Sequence, residues 1–151
     1  MKFFHMADLH LGKKLLGEPL WKEQQYILSR VVAMSDEEKP EAVLLCGDIY
    51  DKSIPSSEAV GLLDWFLEEL SVRGIQTFLI SGNHDGAQRL QFASGILKKE
   101  GIHIAGTFKG GPEHIVLSDA FGPVHVWMLP FLRPGMLRHL RRKFRKLMRR
   151  P

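Results

Sequence analysis

Three short polar clusters carry the residue types that bind metals and move protons: Asp8-x-His10, Gly47-Asp48-x-x-Asp51 and Gly82-Asn83-His84-Asp85. Asp8 and Asp48 offer anionic oxygens, His10 an imidazole and Asn83 a neutral amide oxygen. A mixed nitrogen–oxygen donor set suits Mn2+, Fe2+ or Zn2+ better than the all-oxygen sites preferred by Ca2+ and Mg2+. A carboxylate can bridge two metals, and such pairs, about 3.5–4 Å apart, drive in-line attack of an activated water on phosphorus. They also neutralise the charge that grows on the phosphoryl oxygens. Taken singly, Asp-x-His reads as a polar loop, and Gly-Asp-x-x-Asp and Gly-Asn-His-Asp read as turns. Their joint occurrence, in this order, makes the combination specific for metal-assisted phosphoester chemistry.

That chemistry requires residues far apart in sequence to meet, and the surrounding patterns supply the means. Lys2–Met6 is a β-prone run that ends at Ala7-Asp8-Leu9-His10-Leu11-Gly12. Glu41–Cys46 reads as a buried strand stopped by Gly47-Asp48, and Thr77–Ile80 as a third strand ending at Ser81-Gly82-Asn83. Every cluster thus follows a predicted strand. In an open α/β sheet the loops at the carboxyl ends of parallel strands line one crevice, which brings all three together. The glycines allow the backbone to turn sharply there.

Helices are expected between the strands. From about Leu20 to Met34, Leu20, Ile27, Val31 and Met34 fall on one helical face, widened by Leu28 and Val32. Ser56 or Ser57 is a candidate N-cap for a second helix, whose stripe is Ala59, Leu63, Phe66 and Leu70 and which Gly74 closes. A short helix to about Glu100 precedes three further β-like runs, Ile102–Ala105, His114–Leu117 and Val124–Leu129. Alternating strands and helices predict an α/β fold of right-handed parallel βαβ units. The close spacing of the later strands favours antiparallel additions.

The chain has 151 residues, 44% of them hydrophobic and 25% charged, which fits one ordered domain and argues against disorder. No apolar run reaches the ~18 residues of a membrane span, so no membrane association is expected, and Met1–His5 meets an acid too soon for a signal peptide. The single cysteine, Cys46, excludes a disulfide framework, fits a reducing compartment and points to a cytoplasmic protein. Within its apolar strand it reads as an inert core residue. The net charge of +4 is uneven: residues 133–151 hold nine Lys/Arg and no acid, leaving 12 bases against 17 acids, or −5, in residues 1–132. The expected organisation is an acidic domain over 1–132 and a basic tail over 133–151.

The clusters resemble the first three motifs of calcineurin-like metallophosphoesterases. His5-Met6-Ala7-Asp8-Leu9-His10-Leu11-Gly12-Lys13, Gly47-Asp48-Ile49-Tyr50-Asp51 and Gly82–Leu90 are similar to the SbcD-type nuclease branch of that family, over Met1 to about Leu132 and including Leu129-Pro130-Phe131. The resemblance implies a Mn2+-dependent DNA nuclease, with 3'-5' double-strand exonuclease and single-strand or hairpin endonuclease activity. It also implies a partner, an SMC-like ATPase of SbcC type, and pairing as a homodimer. Carried over, Asp8 and His10 bind a first metal, Asp48 bridges and Asn83 binds a second. His84 protonates the leaving oxygen or stabilises the transition state. Asp85 orients His84, and Asp51 supports the loop that places Asp48.

The family pattern also holds a lone histidine and a Gly-His-x-His motif beyond position 132. Here the remaining histidines are His5, His103, His114, His125 and His139, with no His-x-His pair. Four of about seven expected ligands are present, so the implied state is a truncated domain with impaired activity. His5, His114 and His125 read as packed or surface imidazoles. In the tail, Leu137, Leu140, Phe144 and Leu147 fall at helical spacing among the bases, giving a basic C-terminal helix. It reads as a nucleic-acid contact, a membrane-surface helix or a segment without a selected role. Lys13 and Lys14 could steer a phosphodiester to the metals, and Arg89 could contact a phosphate. Trp21, Trp65 and Trp127 read as core or partner-facing. Two other functions fit the same residues: hydrolysis of small phosphoesters, and a metal-poor remnant that binds DNA or protein without catalysis.

Overall fold

The structure is a computed structural model that describes residues 1–136. In chain order its elements are β1 (Phe3–Met6), the short β2 (Lys14–Leu15) and β3 (Glu18–Pro19), α1 (Trp21–Glu38), β4 (Ala42–Cys46), α2 (Ser57–Val72) and β5 (Gln76–Ile80). Then come α3 (Ala87–Leu90), α4 (Ser94–Leu97), a 3-10 turn at Lys98–Glu100, β6 (Ile102–Ala105), β7 (Glu113–Asp119) and β8 (Gly122–Met128). The basic helix expected from Leu137, Leu140, Phe144 and Leu147, and His139 with it, lies outside the described residues.

Four strands form one parallel sheet in the order β1-β4-β5-β6. Because each crossover advances to the next strand, right-handed connections put α1 and α2 on the same face. The period-2 pattern of the strands separates two cores cleanly. Phe4 and Met6 of β1, Val43 and Leu45 of β4, Leu79 of β5 and Ile102 and Ile104 of β6 face the helices. Phe3, Ala42 and Leu44, Phe78 and Ile80, and Ala105 face the opposite way, onto the β7–β8 hairpin. That hairpin contributes Ile115, Leu117, Val126 and Met128. The layers are therefore helices, parallel sheet and hairpin.

The second helix follows its sequence pattern. Ser56 caps it, its hydroxyl accepting from the Ala59 N–H at 3.4 Å, and Ala59, Leu63, Phe66 and Leu70 are buried with Leu67. Phe66 alone, fully buried, contributes about 1.5–3 kcal/mol of transfer free energy. The first helix departs from expectation. Its buried residues are Leu28, Val32 and Ser35, whereas Ile27 and Met34 are 56% and 47% exposed. Leu28 and Val32, expected only to widen the face, carry its packing, and Gln24 is hydrogen-bonded into the loop after β1.

Of the late strands, β7 and β8 pair antiparallel as expected, whereas β6 joins β5 in parallel, pairing Thr77 with Ile102 through Ile80 with Ala105. The α3–α4 segment supplies the long crossover that a parallel pair requires. Gln91 ties that segment to the sheet end, accepting from the Gly106 and Thr107 N–H groups and donating to the Ile104 carbonyl. The hairpin is moored by the Met1 ammonium, which donates to the Asp119 carboxylate at 2.7 Å. Among the described residues no helix is long and apolar enough to cross a membrane.

Candidate metal centre

The three clusters meet at the carboxyl ends of β1, β4 and β5, which are adjacent in the sheet. Backbone bonds extend the pairing beyond the strands. Asp8 N–H donates to the Gly47 carbonyl at 3.1 Å, His10 N–H to the Asp48 carbonyl at 2.9 Å and Leu11 N–H to the Ile49 carbonyl at 2.9 Å. Gly47 N–H donates to the Ile80 carbonyl, and His84 N–H to Asp48 Oδ1 at 3.0 Å. The side chains that matter are therefore held by main chain on both sides.

This placement carries strain. Asp8, His10 and Asp48 all have left-handed backbone, with φ of 56°, 44° and 47°. Such conformations are uncommon outside glycine and concentrate at functional sites. The glycines beside them are demanded by contact. A Cβ on Gly82 would run into the Asp48 backbone nitrogen and carboxylate, and one on Gly47 would come 3.3 Å from the Gly82 Cα.

Asp8, His10 and Asp48 each bring one ligand atom within 4.8 Å of the others. His10 Nε2 lies 4.0 Å from Asp48 Oδ2. Asp48 is buried, His10 half-buried and Asp8 exposed, so the group opens to solvent on one side. Asn83 is exposed on the loop after β5. The donor set fits a divalent transition metal: two carboxylates and an imidazole bring ligand atoms within 4.8 Å of one another, with His10 Nε2 on the side of Asp48.

His84 is exposed and meets the His10 ring edge-on, centroids 4.9 Å apart. Its Nδ1 lies 3.0 Å from the Asp51 carbonyl. A carbonyl only accepts, so Nδ1 carries the hydrogen and Nε2 is the nitrogen that gains or loses a proton. The supports expected of Asp85 and Asp51 are exchanged. Asp85 is not hydrogen-bonded to the His84 ring; its buried carboxylate accepts from Ile49 N–H at 3.1 Å, Tyr50 N–H at 2.8 Å and Gly82 N–H at 2.8 Å. It therefore splices the Asp48 loop to the Asn83 loop. Asp51 takes His84 through its carbonyl, and its carboxylate lies 3.5 Å from His10 Nδ1.

One residue of the site carries no signature in the sequence. Gln24, in the first turn of α1, accepts from Gly12 N–H at 3.1 Å and donates to the Leu9 and His10 carbonyls at 3.1 and 2.8 Å. It pins the loop that bears Asp8 and His10. A glutamine in an amphipathic helix reads as a solvent-facing residue, so nothing in the pattern could mark it.

A cavity of about 530 Å3 shares Asp51 with the centre and is also lined by Lys13, Lys14 and Lys52, Trp21 and Ile54. Arg89 is exposed on α3. Trp65 packs against the helix-side core, but Trp21 and Trp127 are 44% and 60% exposed and belong to no core. His5 is exposed, and His114 and His125 form an exposed pair, Nε2 to Nδ1 2.8 Å, with Trp127 stacked on His114. Cys46 is half-buried, and burial pushes its thiol pKa up, as befits an inert thiol.

Comparison with known proteins agrees with this geometry. The chain is 39% identical over 132 residues to the SbcD component of the SbcCD nuclease of Staphylococcus epidermidis (strain ATCC 12228 / FDA PCI 1200), an alignment covering 87% of this chain and 34% of that protein. It thus spans about a third of the length of that curated relative. Residues 1–144 match the family model for the calcineurin-like phosphoesterase. With its motifs gathered at the ends of three parallel strands, the chain belongs to the calcineurin-like phosphoesterase family.

Proposed function

We propose that this chain contributes the nuclease centre of an SbcD-like enzyme, hydrolysing DNA phosphodiesters at double-strand ends and hairpins with Mn2+. The observation that supports it most is the convergence of Asp8, His10 and Asp48 within 4.8 Å, with His84 edge-on to His10. Asp8 and His10 would hold a first metal, Asp48 would bridge, and Asn83 would hold a second. Bound there, the metals supply Lewis-acid activation of water and charge neutralisation at phosphorus. His84 holds a proton at Nε2 for the leaving oxygen, oriented by the Asp51 carbonyl. Lys13, Lys14 and Lys52 attract the phosphate backbone to the cavity. The relative's name supports an SbcC-type partner, the SMC-like ATPase, and homodimer formation belongs to the same proposal.

In this reading Asp8, His10, Asp48 and Asn83 are the ligands that the described residues offer to two metals, so in isolation we expect weak Mn2+ affinity and low activity. The test is Mn2+ stoichiometry together with cleavage of linear and hairpin DNA, against Asp48→Ala. Cleavage and bound Mn2+ should both disappear in the variant. Activity on bis-p-nitrophenyl phosphate with none on DNA would move the substrate to small phosphoesters. Unaltered cleavage by Asp48→Ala would refute the centre.

A further inference from the structure

A second group of possible ligands shares His10 with the first. His10, Asp51 and His84 also bring one ligand atom each within 4.8 Å of the others. The two groups lie on opposite edges of the His10 ring. Nε2 is 4.0 Å from Asp48, whereas Nδ1 is buried, lacks a hydrogen-bond partner and stands 3.5 Å from the Asp51 carboxylate. That distance is too long for a hydrogen bond and close to the separation of about 3.3–3.5 Å between ligand atoms around a tetrahedral zinc with bonds near 2.0–2.1 Å.

The donor types of the two groups differ. Asp8, His10 and Asp48 form an oxygen-rich set that suits Mn2+. His10, Asp51 and His84 offer two imidazoles and one carboxylate, with room for water on the exposed His84 side. That set favours a smaller, four-coordinate ion with more affinity for nitrogen, and Zn2+ lies above Mn2+ in the order of stabilities. A neutral imidazole has one lone pair to give. A metal on Nδ1 therefore requires the hydrogen on Nε2, and the shared ring cannot serve both groups at once.

We propose that His10, Asp51 and His84 form a zinc-selective site whose occupation excludes a metal at Asp8, His10 and Asp48. It rests on the metal-centre reading above. Zinc there would take His10 from the first metal and His84 from its proton-holding role, so the site is inhibitory.

The test uses electron paramagnetic resonance, in which free Mn2+ gives a sharp signal that is lost on binding. The whole 151-residue chain is loaded with Mn2+ and titrated with Zn2+. His125→Ala is used throughout as background, because the exposed His114–His125 pair could otherwise collect zinc. One equivalent of Zn2+ should release the Mn2+ held with His10. In His84→Gln and, separately, in Asp51→Asn, Mn2+ should still bind, and half-release should need at least tenfold more Zn2+. Release curves that coincide with the parent in both variants would mean that zinc merely takes the Mn2+ ligands, and would overturn the proposal. If the parent binds no Mn2+, it is the metal-centre reading that fails. Zinc stoichiometry by a chromophoric chelator then decides the site alone: one equivalent lost in His84→Gln supports it, and zinc retained in both variants refutes it.

Discussion

Replacing Asp85 by asparagine should weaken the fold before it touches any chemistry. One carboxylate oxygen accepts from both Ile49 and Gly82 N–H, and the other from Tyr50 N–H. Asparagine has one acceptor oxygen and an amide that only donates. In its better orientation it keeps the first two bonds and sets its NH2 against the Tyr50 N–H, beneath a surface where Asp85 is only 9% exposed. An unpaired buried N–H costs about 1–3 kcal/mol, and losing the charge from two remaining bonds costs about 1 kcal/mol more. The expected loss is therefore about 2–4 kcal/mol, or roughly 4–16 °C in Tm at about 2–4 °C per kcal/mol for a chain of this size. Urea unfolding reads it as a lower midpoint at unchanged slope. A loss below about 0.5 kcal/mol would refute the splice. So would a large fall in activity at unaltered stability, which would return Asp85 to the role of orienting His84.

Three further outcomes follow from single contacts. Gln24→Ala strips the partner from Gly12 N–H and from two carbonyls, and should cost about 1–3 kcal/mol while weakening Mn2+ binding by calorimetry; unchanged values of both would exclude the clamp. Gly82→Ala drives a Cβ into Asp48, whose Cγ would lie 2.7 Å away, and should abolish metal binding, whereas Gly61→Ala on open α2 surface should be neutral or stabilising by up to about 1 kcal/mol. Burial, then the Asp85 charge, pushes the Tyr50 pKa up to about 12 from its ordinary 10. The fold therefore favours neutral Tyr50: the contribution is complete below pH 10 and is lost as pH rises toward about 12. Wild type should lose stability more steeply than Tyr50→Phe across that alkaline window, and parallel curves would remove the effect.

The sequence exposed those features that depend on local period and punctuation. Ala59, Leu63, Phe66 and Leu70 recur at helical spacing behind a serine cap, and each polar cluster stands behind an apolar run; both patterns survive folding. The α1 stripe misled at Ile27 and Met34, which are apolar but exposed, while Leu28 and Val32 are buried and Gln24, a polar anchor that hydropathy cannot see, ties the helix to the first loop. The direction of β6 depended on whether α3 and α4 form a crossover, and these are too short to read from periodicity. The exchange between Asp51 and Asp85 was illegible for a deeper reason. It depends on which backbone N–H groups point inward where β4 and β5 end, and that is a property of two strands in register.

Strain explains why the legible and illegible residues belong together. A left-handed backbone at a non-glycine residue costs about 1–3 kcal/mol, so Asp8, His10 and Asp48 together store about 3–9 kcal/mol. The whole stability of a small domain is only about 5–15 kcal/mol, so these loops could not hold their shape on side-chain chemistry alone. The backbone ladder from Gly47 to Ile49, Gln24 beneath the first loop and Asp85 between the other two supply the opposing bonds. The ligands are conspicuous by type, whereas the groups that hold them strained are an ordinary glutamine and an aspartate facing main chain. Loosening either clamp lets the strained residues relax toward ordinary φ values, which turns their side chains away from one another. Metal affinity and loop stability in this chain should therefore fall together when a clamp is removed, and separately when a ligand is.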